Sequence, residues 1–309
     1  MTNLKSILKI QSYSGQQFRM FAYIIRQISK IPNVQYYTYN GCIYVTKGNT
    51  NSYPCIVSHM DTVHPICEDL SILEYEGKLT GFNTVTMTQT GVGGDDKVGI
   101  YIALESLHHM ENIKAVFFRD EEVGCLGSYE PDNDFFNDVN FVLQCDRRGN
   151  SGFVTNASGV ELSSNGFQSD VKPILNKYGY SFVNGAMTDV MALRESGICI
   201  SMANIECGYY NPHCDNEYVN IQDVENCKQM VLDIFDTLKK RYDVKPHKKQ
   251  KYFGQKYKWD YQDYYKDLEP VEFCESCLNE SETTFDLTYK ANLCDYCKSD
   301  YLKTVNYDF

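Results

Sequence analysis

Five short segments of this chain carry imidazoles and carboxylates of the kinds that hold metal ions. They are Ser58-His59-Met60-Asp61, Gly93-Gly94-Asp95-Asp96-Lys97, Asp120-Glu121-Glu122, the acid Asp146, and His213. Zinc takes imidazole nitrogen and carboxylate oxygen readily. His59 and Asp61 stand two apart, so on an extended strand they point the same way. Asp61 is then placed to accept the second ring N–H of His59 and fix its tautomer. Glu121 and Glu122 are adjacent and cannot both face one way in an extended chain. One can ligate while its neighbour moves a proton. A pair of ions at such a site stabilises both the attacking and the leaving oxygens of a displacement. Each segment alone also has a plainer reading. His59 could be a hydrogen-bonded core histidine, and the acid pairs could be solvated helix ends.

The elements around these segments decide between the readings. Residues 54–58, 115–118 and 139–143 read as short buried strands, and each stops just before a polar segment. A strand is also expected over 198–203. Helices are expected over 97–110, 169–178 and 221–240, and another runs to about Lys30 with Ser14 as its cap. Asn40-Gly41 between two β-prone runs signals a hairpin, since both turn positions need positive φ. Strands alternating with helices imply an α/β fold, a mostly parallel sheet sandwiched by helices. In such a sheet, ligands collect at the carboxyl ends of the strands. The polar segments are expected along that rim.

The segments also carry a resemblance. His59-Met60-Asp61-Thr62-Val63 resembles the H-x-D-T-V signature of the co-catalytic di-zinc peptidases, a superfamily that includes peptidase T, acetylornithine deacetylase and related aminopeptidases. Gly93-Gly94-Asp95-Asp96-Lys97-Val98-Gly99 is similar to their G-x-D-D-K-x-G segment. Asp120-Glu121-Glu122-Val123-Gly124 with Gly127-Ser128 is similar to D-E-E-V-G-x-x-G-S, and His213-Cys214-Asp215-Asn216-Glu217-Tyr218-Val219 to H-x-x-x-E-Y-V. The four motifs stand in family order across residues 55–240 and are specific together.

The resemblance implies a zinc aminopeptidase-like fold and a set of roles. Asp95 would bridge two zinc ions, although cobalt or manganese also suits N/O sites. His59 and Asp146 would complete one site, and Glu122 and His213 the other. Asp146, in Gln-Cys-Asp-Arg-Arg, is the loosest match to the pattern. Glu121 would serve as the general base and Asp61 would orient His59. The retained Glu121 argues against a pseudoenzyme. Many relatives insert a lid or dimerisation domain between the Asp ligand and the last His, and the interval from Asp146 to His213 is too short for a full copy. A more open site without a lid-mediated dimer is therefore expected. Arg147, Arg148, Asn156 and Asp189 are candidates to replace the groups a lid supplies, while Asp189 also reads as a helix cap after Thr188. His64, His108, His109 and His247 have no partner pattern.

The C-terminal region differs in composition. Residues 1–244 read as the catalytic domain, 245–272 as a Lys/Tyr-rich linker, and 273–309 as a small zinc-binding tail. Cys274, Cys277, Cys294 and Cys297 form a C-x-x-C pair of pairs with the spacing of a four-cysteine structural zinc site. A protein partner for this tail is favoured over nucleic acid. Lys248-Lys249-Gln250-Lys251-Tyr252-Phe253 could meet phosphates and bases, but Asp260, Asp263, Asp267 and Glu269 follow it. The net charge of -12 also speaks against a general nucleic-acid binder. No apolar leader and no membrane-length run is visible, so a cytoplasmic protein with reduced thiols is expected. The function expected is hydrolysis of short peptides by an aminopeptidase or tripeptidase. Removal of acyl groups from N-acyl amino acids is the enzymatic alternative, and a binding scaffold that uses the tail is the non-enzymatic one.

Overall fold

In the computed structural model the described residues are 3–67 and 69–247, together with the backbone of two short strands beyond them. The chain begins with α1 (Leu4–Leu8), α2 (Phe18–Ile28), β1 (Val34–Tyr39), β2 (Cys42–Lys47) and β3 (Tyr53–His59). It continues with β4 (Leu70–Tyr75), β5 (Lys78–Asn83), β6 (Thr88–Thr90), α3 (Gly94–His109), β7 (Ile113–Phe118), α4 (Leu126–Tyr129) and β8 (Val139–Arg147). Then come β9 (Gly152–Ala157), β10 (Val160–Glu161), α5 (Asn165–Tyr178), β11 (Ser181–Gly185), α6 (Asp189–Glu195) and β12 (Met202–Glu206). Last in this unit are β13 (Tyr209–Tyr210), β14 (Tyr218–Asn220) and α7 (Ile221–Thr237).

The Asn-Gly turn behaves as its chemistry requires. Asn40 and Gly41 both take positive φ, 48° and 71°, and β1 pairs with β2 as a tight antiparallel hairpin. Every residue of β3 and β7 is buried, as expected of strands covered on both faces. These strands lie inside a nine-stranded sheet of order β1-β2-β7-β3-β8-β12-β9-β10, with β11 added on β9. Its centre, β7-β3-β8-β12, is parallel. The β1–β2 hairpin joins β7 antiparallel and β9 turns back along β12, while β11 runs parallel to β9. The sheet thus has a parallel centre, where the site lies, within the expected α/β fold. α3 packs on β3, β7 and β8, and α6 packs on β3, β8 and β12.

Capping follows the side chains available. Ser164 accepts from the Phe167 N–H at the start of α5, and Gly179 ends that helix at φ 79°. Asn220 accepts from the N–H groups of Gln222 and Asp223 to start α7. Ser14 departs from expectation: α2 starts after Gln17, and the Ser14 hydroxyl donates instead to Asp61 Oδ2 at 2.8 Å. The strand expected over 198–203 begins later, with only an isolated bridge at Ile200 before β12.

A second, five-stranded sheet has the order β13-β14-β5-β4, with β6 on β5. The segment between Asp146 and His213 contributes β9, β11 and β12 to the main sheet, and residues 1–247 form one compact unit. Residues 248–309 form another. In that unit β15 (Thr284–Asp286) pairs antiparallel with β16 (Ala291–Leu293). Cys274, Cys277, Cys294 and Cys297 lie outside the described residues. No helix among the described residues is long and apolar enough to cross a membrane.

Candidate metal centre

Parallel pairing puts the ends of β3, β7 and β8 on one edge of the sheet, so His59, the 120–122 segment and Asp146 arrive together. Asp95 comes from the start of α3, and His213 from the 211–217 loop between β13 and β14. The approach of α3 depends on two glycines. Gly93 takes φ 66°, and a Cβ there would lie 2.8 Å from Lys97 Nζ. A Cβ on Gly94 would lie 2.8 Å from both Tyr209 Cβ and Val219 Cγ2. The Asp95–Asp96 peptide is cis.

The two oxygens of Asp95 face two different histidines. Oδ1 lies 3.3 Å from His59 Nε2, and Oδ2 lies 3.4 Å from His213 Nε2. His59 Nε2 is also 3.5 Å from Asp146 Oδ1 and 3.9 Å from Glu121 Oε2. His213 Nε2 is 3.2 Å from Glu122 Oε2. One carboxylate therefore stands between two imidazole–carboxylate pairs, with Glu121 beside the first of them.

Two buried polar atoms here have no hydrogen-bond partner: His59 Nε2 and Glu122 Oε1. An unsatisfied buried group of this kind is costly unless something fills the gap. His59 Nδ1 is 3.0 Å from the Asp61 carbonyl oxygen, which makes Nδ1 the donor and turns the Nε2 lone pair to the acids. The sequence pointed to the Asp61 carboxylate as that acceptor, but Oδ1 is farther, at 3.5 Å. The carboxylate instead accepts from the N–H groups of Glu121 at 2.9 Å and Glu122 at 3.3 Å. Asp61 thus orients His59 through its backbone and holds the two glutamates through its side chain.

The charges of the metal-free site are strained against one another. Burial opposes a charged His59, yet the surrounding carboxylates of Asp146, Asp61 and Asp95 hold its pKa well above that of an ordinary imidazole. Hydrogen bonding to Asp95 and Glu122 pushes His213 up to about 10. Burial, with the nearby Asp95 charge, pushes Asp146 up to about 8. Burial also raises Glu122, and it raises Glu121 well above the usual carboxylate range. Burial works against ionised Asp95 as well, but His213 and His59 hold its pKa below normal. Such a concentration of acids calls for cations.

Asp96 also lies within ligand reach of His59 and Asp146. Its oxygens are already committed, Oδ2 to the His59 N–H at 3.1 Å and Oδ1 to the Gly99 N–H at 3.0 Å. These contacts tie Asp96 to the backbone of β3 and α3, and a cation beside His59 and Asp146 would also lie within its reach. Asp146 is held by its neighbours: Gln144 Nε2 and Thr188 Oγ1 each donate to Oδ2 at 3.1 Å, and the Tyr209 hydroxyl donates to Oδ1 at 3.3 Å.

The sequence reading gave Glu217 no role beyond its place in H-x-x-x-E-Y-V. It is fully buried and accepts from the Gly93 N–H at 2.6 Å and the Asp95 N–H at 3.2 Å. His64, which showed no partner pattern in the sequence, lies with Nε2 2.9 Å from Glu217 Oε2. The motif spacing was the available signal, since a buried acid four residues after a ligand needs donors. Asp189 is not the cap. It is the first residue of α6, buried, and accepts from Ser128 Oγ at 2.5 Å and Gln144 Nε2 at 3.0 Å. Asn156 Oδ1 accepts the Gly159 N–H in a turn, Arg148 is exposed, and Arg147 is half-buried beside Asp146.

No family model matches this chain, and no curated protein matches it. Solved structures do. The aminopeptidase PepT of Bacillus cereus superposes with a TM-score of 0.61 at 13% identity, over 76% of this chain and 96% of that one. A tripeptidase of Staphylococcus aureus gives 0.59 at 14% identity, over 75% and 95%. An aminopeptidase of the archaeon Desulfurococcus kamchatkensis gives 0.58 at 13% identity, over 76% and 94%. About three quarters of this chain has the fold of these structures.

Proposed function

We propose that this protein is a two-metal hydrolase of peptide bonds, an aminopeptidase or tripeptidase acting on short peptides. The observation that carries the reading is Asp95, whose two oxygens each face a separate imidazole–carboxylate pair. His59 and Asp146 would hold one ion, His213 and Glu122 the other, with Asp95 shared. Zinc suits this donor set of two imidazoles and three carboxylates. When bound, the ions supply polarisation of the scissile carbonyl and an acidified water.

The chain's own groups carry the protons. Glu121 lies beside the first pair, is not needed as a ligand, and is kept basic enough by burial to take a proton from the attacking water. The same carboxyl then returns the proton to the departing amine. Asp61 fixes where Glu121 stands by accepting its backbone N–H. The four cysteines of the tail are proposed to hold a separate structural zinc, on their spacing alone.

The test is incubation of zinc-loaded protein with short peptides and N-acyl amino acids, with products read by mass spectrometry and Glu121→Gln as control. Release of N-terminal residues by the wild type alone supports the proposal. Loss of acyl groups alone would move the assignment to a deacylase, and no turnover of either pool would refute hydrolysis of these substrates.

A further inference from the structure

Arg147 follows directly after Asp146 at the end of β8 and is half-buried. Its Nε is buried without a hydrogen-bond partner, and no carboxylate pairs with its guanidinium among the described residues. This is unusual among the described arginines that are not exposed. Arg119 bonds to Asp120 and Asn40, Arg194 to three backbone carbonyls, and Arg241 to Asp243 and two carbonyls. Arg19 and Arg26 are engaged too. The chain has 41 acids against 29 bases, so carboxylates are not scarce. A guanidinium partly removed from water and left unpaired is unfavourable until an anion meets it.

Its surroundings place it on the rim of the metal centre. A Cβ on Gly185 would lie 3.0 Å from Arg147 Nη1 and 2.7 Å from Val154 Cγ1, so glycine at the end of β11 leaves the guanidinium its room. From Gly185 the chain runs through Ala186 and the exposed Met187 to Thr188, whose hydroxyl holds Asp146 Oδ2. Arg147 is therefore one residue from a proposed ligand along β8, and packs against the strand that leads to that ligand's support.

We propose that Arg147 is a receptor for a carboxylate on the departing side of the substrate, and that it selects short peptides with a free C-terminal carboxylate. The proposal rests on the peptidase reading above. Arginine suits the task because its planar fork meets both oxygens of a carboxylate at once. A fixed receptor beside the chemistry limits the length between the cleaved bond and the carboxylate. Loss of a charge-assisted pair of this kind corresponds to about 10- to 100-fold in binding.

The experiment compares trialanine, trialanine amide, and the amide of Ala-Glu-Ala, which carries only a side-chain carboxylate. Two readouts are used: kcat/KM of the zinc-loaded wild type, and calorimetric Kd on zinc-loaded Glu121→Gln, which reports binding without turnover. Trialanine is expected to exceed its amide by about tenfold or more in both. Adding Arg147→Ala should bring the acid-to-amide ratio close to one, Arg147→Lys should restore part of it, and Arg148→Ala should leave it intact. Recovery by Ala-Glu-Ala amide would assign the receptor to side-chain carboxylates, and no recovery to the C-terminal one. Equal Kd for acid and amide, or an unchanged ratio in a folded Arg147→Ala, would overturn the proposal. Acid-selective binding without hydrolysis by the wild type would keep the receptor and refute the peptidase reading.

Discussion

At the scale of the residue, protons and metal compete for the same atoms. The pKa of His213 is raised to about 10 and that of Asp146 to about 8 in the metal-free protein, so near neutral pH both hold protons that an ion must displace. Zinc loading at about pH 7 is thus expected to release protons, and apparent affinity to rise with pH. Calorimetry in buffers of different ionisation enthalpy measures this, and a loading enthalpy independent of buffer would contradict it. Glu121→Gln keeps the shape and removes the base. Turnover should fall by roughly 10²- to 10⁴-fold while zinc content stays unchanged. Glu217→Ala acts one step away. It strips the acceptor from two buried N–H groups and from His64, which should cost roughly 3 kcal/mol and lower zinc affinity about 10- to 100-fold. Normal zinc affinity in that variant would show that the Gly93–Asp95 segment holds itself.

At the scale of the element, α6 docks through a buried acid. Asp189 bonds to Ser128 of α4 and Gln144 of β8, and burial pushes its pKa up to about 6. A carboxyl raised on folding contributes stability below its unfolded value, near 4, and that contribution is lost as pH rises through about 6. In metal-free protein, Asp189→Asn should therefore match the wild type near pH 4 to 5 and exceed it by up to about 3 kcal/mol near pH 8. Urea unfolding at both values checks the sign. The elements of the main sheet were largely legible in the sequence, because β3, β7 and β8 are continuous apolar runs and Asn40-Gly41 is a turn with a mechanism. The candidate ligands were nominated for a related reason, since each stands at a strand end, opens a helix or lies in a loop beside them. The second sheet was not. Its strands β4 and β5 mix Glu74 and Lys78 with Leu73 and Leu79, so periodicity gave no signal, and β14 joins them from well over a hundred residues away. The sequence could not show that the backbone carbonyl of Asp61 lies nearer to His59 Nδ1 than its carboxylate does.

At the scale of the whole molecule, residues 1–247 contain every group proposed for catalysis and form a compact unit by themselves. A chain ending at His247 should fold and retain kcat/KM within about threefold of the full chain. Native mass spectrometry should find it one zinc lighter, reflecting the cysteines left behind, and equal zinc in both would refute the structural site in the tail. The two halves of the centre are not equally enclosed. The His59 side chain is fully buried at the end of a central strand, whereas that of His213 is 50% exposed on a surface loop. An ion held through His59 would be bound by the more enclosed imidazole, and one held through His213 by an imidazole open to water. The two ions would then have very different lifetimes, and the outer position would follow the metals of its surroundings while the inner one keeps the ion it was assembled with.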